Sequence, residues 1–184
     1  MKRRWLRLQN VRVCEEEGKL GMRYHDITKD DMLNGDGLRT VLWVSGCSHC
    51  CRDCQNPITW DPNGGLLFDA SAKEELFQEI SKDYISGVTL SGGDPLYFGN
   101  RLDVLKLVKE IRGLFPAKTI WMYTGFVWEA VSGLEIMKYL DVLVDGEFIA
   151  EQKDTQLYWR GSTNQRVIDV PSSLRTGNVV LHCA

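Results

Sequence analysis

Leu38-Arg39-Thr40-Val41-Leu42-Trp43-Val44 runs without a break into Ser45-Gly46-Cys47-Ser48-His49-Cys50-Cys51-Arg52-Asp53-Cys54. The first part is apolar and β-branched, which predicts a buried strand. The second places four of the chain's six cysteines directly after that strand. Thiolates this close bind metal, hold an iron–sulfur cluster or oxidise. In parallel α/β folds the carboxyl ends of strands carry the site. One strand and its loop therefore suggest both the architecture and the place of the chemistry.

The flanking sequence extends the pattern. Asn34-Gly35-Asp36-Gly37 predicts a turn before the strand. Ser71-Ala72-Lys73-Glu74 has capping-box form and predicts a helix carrying Phe77, Ile80 and Tyr84 at helical spacing. Gly87 to Leu90 is a short strand ending in Ser91-Gly92-Gly93-Asp94-Pro95. Asn100 to Phe115 is a helix with Val104, Val108, Ile111 and Phe115 on one face. Thr119 to Tyr123 is a strand ending in Thr124-Gly125, and Val127 to Leu140 is a helix weakened by Gly133. Val142 to Val144 is a strand ending in Asp145-Gly146. Arg166 to Val170 and Asn178 to His182 are further strand candidates. Such alternation predicts an α/β fold with mostly parallel strands. The units are too few for an eight-fold barrel, so a partial, open (β/α) barrel is expected. Residues 1–184 are expected to form a single domain, with 1–24 an N-terminal extension or strand and 171–184 a C-terminal tail.

Composition narrows the function. The chain has 184 residues, 43% hydrophobic and 26% charged, with a net charge of −3. That is globular composition without the basic character that nucleic acid or an anionic membrane would attract. The basic head (Lys2, Arg3, Arg4, Arg7, Arg12) precedes no apolar run and is read as a solvated strand or arm. A reducing, cytoplasmic location is expected, in which the cysteines are not a disulfide framework.

The cysteines allow two registers. Cys47-x2-Cys50 abutting Cys51-x2-Cys54 supplies four thiolates for a tetrahedral zinc ion, although zinc knuckles normally lie apart in sequence. Cys47-x3-Cys51-x2-Cys54 leaves Cys50 out. Three thiolates can hold three irons of a [4Fe–4S] cube and leave the fourth iron open.

The second spacing resembles the signature of the radical S-adenosylmethionine superfamily. Gly46-Cys47-x-His49-x-Cys51-x-x-Cys54-x-Asn56, followed by Thr59-Trp60, resembles the activating proteins of anaerobic ribonucleotide reductase. So do Asn34-Gly35-Asp36-Gly37-Leu38-Arg39, Ser91-Gly92-Gly93-Asp94-Pro95-Leu96, Tyr123-Thr124-Gly125, Asp141 to Gly146 and Trp159-Arg160-Gly161-Ser162-x-Asn164-Gln165-Arg166. The match runs in order from Asp26 to Asp169.

That resemblance implies a partial barrel of the radical SAM type. It implies one [4Fe–4S] cluster on Cys47, Cys51 and Cys54, with S-adenosyl-L-methionine chelating the open iron. The Gly92-Gly93 backbone would meet the methionine amino group, with Asp94 adding a charge-assisted contact. Asp53 and Gln55 would lie near the adenosine. Many superfamily members carry an aromatic residue at the position of Asp53, which cannot pack on adenine. The implied partners are the large catalytic subunit of anaerobic ribonucleotide reductase, whose glycine loop is the substrate, and a low-potential electron donor such as flavodoxin or ferredoxin. Arg160, Asn164, Gln165 and Arg166 would close the site or dock the partner. A pyruvate formate-lyase-type activator and a deazaguanine-pathway synthase share the tricysteine logic and stay open as alternatives.

The remaining polar residues are read plainly. Cys50 is a bystander, and Cys14 and Cys183 are free thiols. His49 either tunes the cluster by hydrogen bonding or is structural. His25 and His182 are ordinary, Trp43 and Trp121 are core, and Glu15-Glu16-Glu17 is a solvated charge run.

Overall fold

The computed structural model describes residues 5–8, 11–14 and 21–182, the first two stretches by backbone alone. The readings of Lys2 to Arg4, Glu15 to Glu17 and Cys183, and of the Arg7, Arg12 and Cys14 side chains, lie outside the described residues. β1 (Trp5–Leu8) and β2 (Val11–Cys14) form an antiparallel pair.

The main sheet has seven strands: β3 (Arg23–Asp31), β4 (Arg39–Val44), β5 (Leu66–Leu67), β6 (Gly87–Gly92), β7 (Thr119–Tyr123), β8 (Val142–Asp145) and β9 (Arg166–Asp169). Their order is β5-β3-β4-β6-β7-β8-β9, and the two edges do not meet. β4, β6, β7 and β8 are mutually parallel, whereas β3, β5 and β9 run antiparallel to their neighbours. The expected open α/β sheet is therefore present, with a parallel centre and antiparallel flanks. β9 does not continue the parallel alternation, because only a loop, with no crossover helix, separates it from β8.

In-register pairing lays Leu42, Leu90, Met122, Leu143 and Ile168 across five strands, each fully buried. Each such side chain contributes about 1.5–3 kcal/mol by leaving water. Helices α1 (Ala70–Ile80), α2 (Arg101–Leu114), α3 (Trp128–Val131) and α4 (Val170–Thr176) cover this face. α2 follows its expectation, with Val104, Val108 and Ile111 inward and Asn100 and Phe115 as its caps. The opposite face holds Trp121, Val142, Val144 and Val167, with Tyr123 and Trp159 packed on them.

Several local expectations change. α1 is capped by Asp69, whose carboxylate accepts from the Ala72 N–H at 3.0 Å, so Ser71 lies inside the first turn. The helix ends at Ile80 and leaves Tyr84 exposed; Leu76 takes the buried position. The helix expected over Val127 to Leu140 splits into α3 and a 3-10 turn over Glu135–Tyr139. Ser132 and Gly133 sit at the break, where poor helix propensity costs about 1 kcal/mol for the glycine. Asn178 to His182 forms only one bridge, Ile168 with Leu181, beside β9. Among the described residues no helix is long and apolar enough to cross a membrane.

Candidate functional site

β4 delivers the chain into a loop that is tied shut at its neck. Gly46 N donates to Thr59 O at 2.7 Å and Cys47 N to Trp60 O at 3.1 Å. A 3-10 turn over Pro57–Thr59 supports this neck, with Thr59 Oγ1 donating to Asn56 O at 2.7 Å. Within the loop Cys50 and Asp53 adopt positive φ, 50° and 58°. Such left-handed residues reverse the chain locally. Cys47, Cys51 and Cys54 line a cavity of about 740 Å³, while Cys50 and Asp53 are exposed and do not line it. The loop conformation thus separates three cysteines from the fourth.

Burial pushes the Cys47 thiol up to about 11, with Asp94 adding to the effect. Burial also raises the Cys51 thiol. Both thiols are neutral until a cation displaces their protons, which is how metal ligation proceeds. Asn56 N donates to Cys54 Sγ at 3.4 Å, the kind of backbone contact that tunes an iron–sulfur ligand. Among the described residues no three His, Cys, Asp or Glu side chains converge as one metal ion requires. A cube makes no such demand, since each thiolate takes a different iron. Three partly buried thiols on one open cavity fit a [4Fe–4S] cluster with a vacant position.

The loop after β6 packs directly on the cysteine loop. Gly93 N donates to Val44 O and Asp94 N to Gly46 O, both at 2.8 Å. A Cβ on Gly93 would meet Gly46 O at 2.5 Å and Thr59 O at 2.8 Å. This glycine is required first by contact between protein backbones. Gly92, at φ 104°, and Gly93 also line the cavity.

Asp94 does not face the cavity. Its carboxylate is buried and accepts from Leu96 N at 2.7 Å, Thr124 Oγ1 at 2.9 and 3.0 Å, and Gly125 N at 3.1 Å. It also meets His49 Nε2 at 2.8 Å, while His49 Nδ1 lies 2.9 Å from Glu147 Oε1. With a carboxylate at each ring nitrogen, both nitrogens serve best as donors. The bond to Asp94, aided by Glu147, accordingly lifts the His49 pKa above the usual imidazole value.

The C-terminal motif holds the loop after β8. Gln165 Oε1 accepts from Gly161 N at 2.9 Å, and its amide donates to Gly146 O at 3.0 Å. Asn164 Nδ2 donates to Glu147 O at 2.8 Å. Arg160 Nη1 donates to Gln165 O at 2.6 Å, and Arg160 lines the cavity. Neither Arg160 nor Lys153, another lining residue, forms an ion pair among the described residues.

Behind the lining residues Tyr123 and Trp159, Trp121 sits on the inner sheet face. Arg39 is fully buried, lies 5.2 Å from the Trp121 ring, and donates to Thr89 Oγ1, Thr119 Oγ1, Asp36 O, Val88 O and Thr119 O. Burial draws its pKa down to about 10, which leaves it charged at neutral pH. His182 packs on Trp121 and Trp159 and pairs with Asp36 at 2.8 Å.

Of the cofactor residues expected from sequence, Gln55, Gly92 and Gly93 line the cavity; Asp94 lies beneath it and Asp53 outside it. Trp121 is core as expected, but Trp43 is a cavity wall whose Nε1 donates to Thr28 Oγ1 at 2.8 Å. Tyr123 and Trp159, which open two of the family-like motifs but carry no assigned role there, also line the cavity, as does Phe148, a single loop aromatic without a spacing signal.

The family described as a 4Fe-4S single cluster domain matches residues 33–168. An anaerobic ribonucleoside-triphosphate reductase-activating protein of Enterobacteria phage T4 is 44% identical over 146 residues, covering 79% of this chain and 93% of the relative. The protein of the same name from Escherichia coli K12 is 41% identical over 150 residues, covering 79% and 97%. That of Haemophilus influenzae is 39% identical over 148 residues, covering 78% and 96%. With its cysteine loop, its glycine loop and likeness of this extent, the chain belongs to the family of anaerobic ribonucleoside-triphosphate reductase-activating proteins.

Proposed function

We propose that this chain is a radical S-adenosylmethionine activase that generates a glycyl radical on anaerobic ribonucleotide reductase. The observation that carries the reading is the cavity: three cysteines line it, the fourth does not, and two glycines bring the next strand end against them. Within a family of reductase activators, that arrangement supports a [4Fe–4S] cluster on Cys47, Cys51 and Cys54. Those three cysteines would hold the cluster, which would supply the electron for reductive cleavage of S-adenosylmethionine and so the radical chemistry that takes an α-hydrogen from a glycine of the reductase.

The chain's own residues bind and orient. Gly92, Gly93 and Gln55, which line the cavity, would meet the cofactor. Asp94 acts from beneath by fixing that loop, and Asp53 contributes its left-handed turn. Arg160 and Lys153, which form no ion pair among the described residues, offer cationic groups to the S-adenosylmethionine carboxylate. Residues 1–184 act as a single domain in the reducing cytoplasm, its sheet an open partial barrel of the radical SAM type whose mouth admits the glycine loop. A low-potential donor such as flavodoxin or ferredoxin supplies the electron.

The test is anaerobic reconstitution with iron and sulfide. The protein should turn brown and carry about four irons and four sulfides. Reduction with S-adenosylmethionine should release 5′-deoxyadenosine. A glycyl radical signal should appear when the reductase's large subunit is added and not with pyruvate formate-lyase. A colourless protein holding one zinc ion would overturn the proposal.

A further inference from the structure

We propose that His49 is a positioning residue that couples the cysteine loop to the glycine loop, so that seating the cluster and ordering the S-adenosylmethionine site become one event. The inference rests on the proposed function and assigns a role to a side chain that is not a proposed iron ligand, although it borders the same cavity as the cysteines.

His49 sits midway between Cys47 and Cys51, inside the segment that must hold its shape for three thiolates to face one cavity. Its side chain is 8% exposed. It reaches three strand ends at once. Nε2 meets Asp94 after β6, Nδ1 meets Glu147 after β8, and the ring packs edge-on to Phe126 after β7 at 4.6 Å between centroids. The fit is close: a Cβ on Gly125 would stand 2.4 Å from the ring. Asp94 in turn fixes Leu96 N, Thr124 Oγ1 and Gly125 N. A link therefore runs from the cysteine loop through the side chains of His49 and Asp94, and from Asp94 along the backbone to Gly93 and Gly92.

Other ties between the two loops are backbone bonds near the neck, at Val44 and Gly46. Beyond the neck, the segment from Ser48 to Cys54 is held by His49, by the Phe148 backbone N–H on the Cys51 thiol and by the exposed Arg52–Glu151 ion pair, and an exposed pair of this kind is worth little. Removing the imidazole takes from this segment its contacts with Asp94, Glu147 and Phe126, and from the buried Asp94 carboxylate one hydrogen bond. Hydrogen bonds to charged groups are strong enough that losing one corresponds to roughly tenfold or more in an equilibrium.

The test uses the full chain, both metal-free and reconstituted, in His49→Ala, His49→Gln and Glu147→Ala. In the metal-free protein, hydrogen exchange over residues 46–56 and 92–96 should quicken by about tenfold in His49→Ala. Glu147→Ala should loosen 46–56 and spare 92–96, because the contact with Asp94 persists. His49→Gln keeps one donor toward Asp94 and should restore protection of 92–96. In reconstituted protein matched for iron content, S-adenosylmethionine should bind about tenfold more weakly to His49→Ala, with Gln between. Unchanged exchange over 92–96 in His49→Ala, or unchanged affinity at equal iron content, would overturn the coupling. Should His49→Ala not fold, the contrast between the Gln and Glu147→Ala variants decides: equal loosening of both segments in both variants refutes it. If the parent protein binds no S-adenosylmethionine, the proposed function fails while the exchange comparison still reads the coupling.

Discussion

Arg166 and Asp145 stand opposite one another in the antiparallel β8–β9 pair, and the carboxylate takes the guanidinium at two points, Nε at 3.1 Å and Nη2 at 2.5 Å. Asp145 is 1% exposed and also accepts from Trp128 N at 2.7 Å. Arg166 reaches on to Glu129 through both terminal nitrogens, and these two carboxylates raise its pKa. Arg166→Gln leaves a buried carboxylate without its cation. We expect a loss of about 2–3 kcal/mol in urea unfolding, with Glu129→Gln costing less than about 1 kcal/mol because Glu129 is 60% exposed. Equal losses would show that the buried half of the bridge is not the stronger one.

The separation of Cys50 from the other cysteines is measurable. Cys47→Ala, Cys51→Ala and Cys54→Ala should each abolish retention of a stable cluster on gel filtration after reconstitution. Cys50→Ala should keep about four irons. Loss of iron in Cys50→Ala with retention in Cys51→Ala would reverse the register.

Two glycine substitutions should have opposite signs. Gly93→Ala drives a Cβ into the backbone of Gly46 and Thr59. It should cost about 2 kcal/mol or more through overpacking and lower iron loading by displacing the cysteine loop. Gly113→Ala in α2 meets nothing within 4 Å and should raise stability by about 0.5–1 kcal/mol with iron loading unchanged. Thermal melts of the metal-free proteins check both.

Arg39 ties β4, β6, β7 and the 34–37 turn together through five contacts. Arg39→Met leaves Val88 O, Thr119 O and two threonine hydroxyls short of their buried donor. The expected cost is about 2–4 kcal/mol, and Arg39→Lys, lacking the planar fork, should recover less than half of it. A neutral Arg39→Met would mean that water replaces the guanidinium.

Much of this was legible because the central strands are written in apolar residues. β7 falls where Thr119 to Tyr123 indicates, and β4 where Leu38 to Val44 does. Spacing left two cysteine registers open; the family resemblance pointed to the one that omits Cys50, and Cys47, Cys51 and Cys54 are the three that line the cavity. β3 was not. Its residues, Arg23-Tyr24-His25-Asp26-Ile27-Thr28-Lys29-Asp30-Asp31, bury only Tyr24 and Ile27, so the period-2 signal is swamped by charge. α4 was overlooked although Asp169 caps it, Pro171 opens it and Gly177 closes it at φ 71°. Its seven residues are too short for helical periodicity to stand out. The role of Asp94 was hidden for a different reason. A carboxylate after a glycine pair suggests a ligand contact, and only the fold reveals that Thr124, Gly125, Leu96 and His49 have already claimed it.

The flanks of the sheet bear on how this protein meets other chains. One margin ends in β5, only two residues long. Along the other, Val180 O takes Asp169 N at 2.9 Å and His182 N reaches Val167 O at 2.8 Å, so the terminal segment occupies bonds that β9 would otherwise offer. Exposed sheet margins recruit strands from neighbours and seed aggregates. On the first side β5 covers only Arg23 and Tyr24 of β3, and along His25 to Asp31 the charges of Asp26, Lys29, Asp30 and Asp31 guard the rim instead.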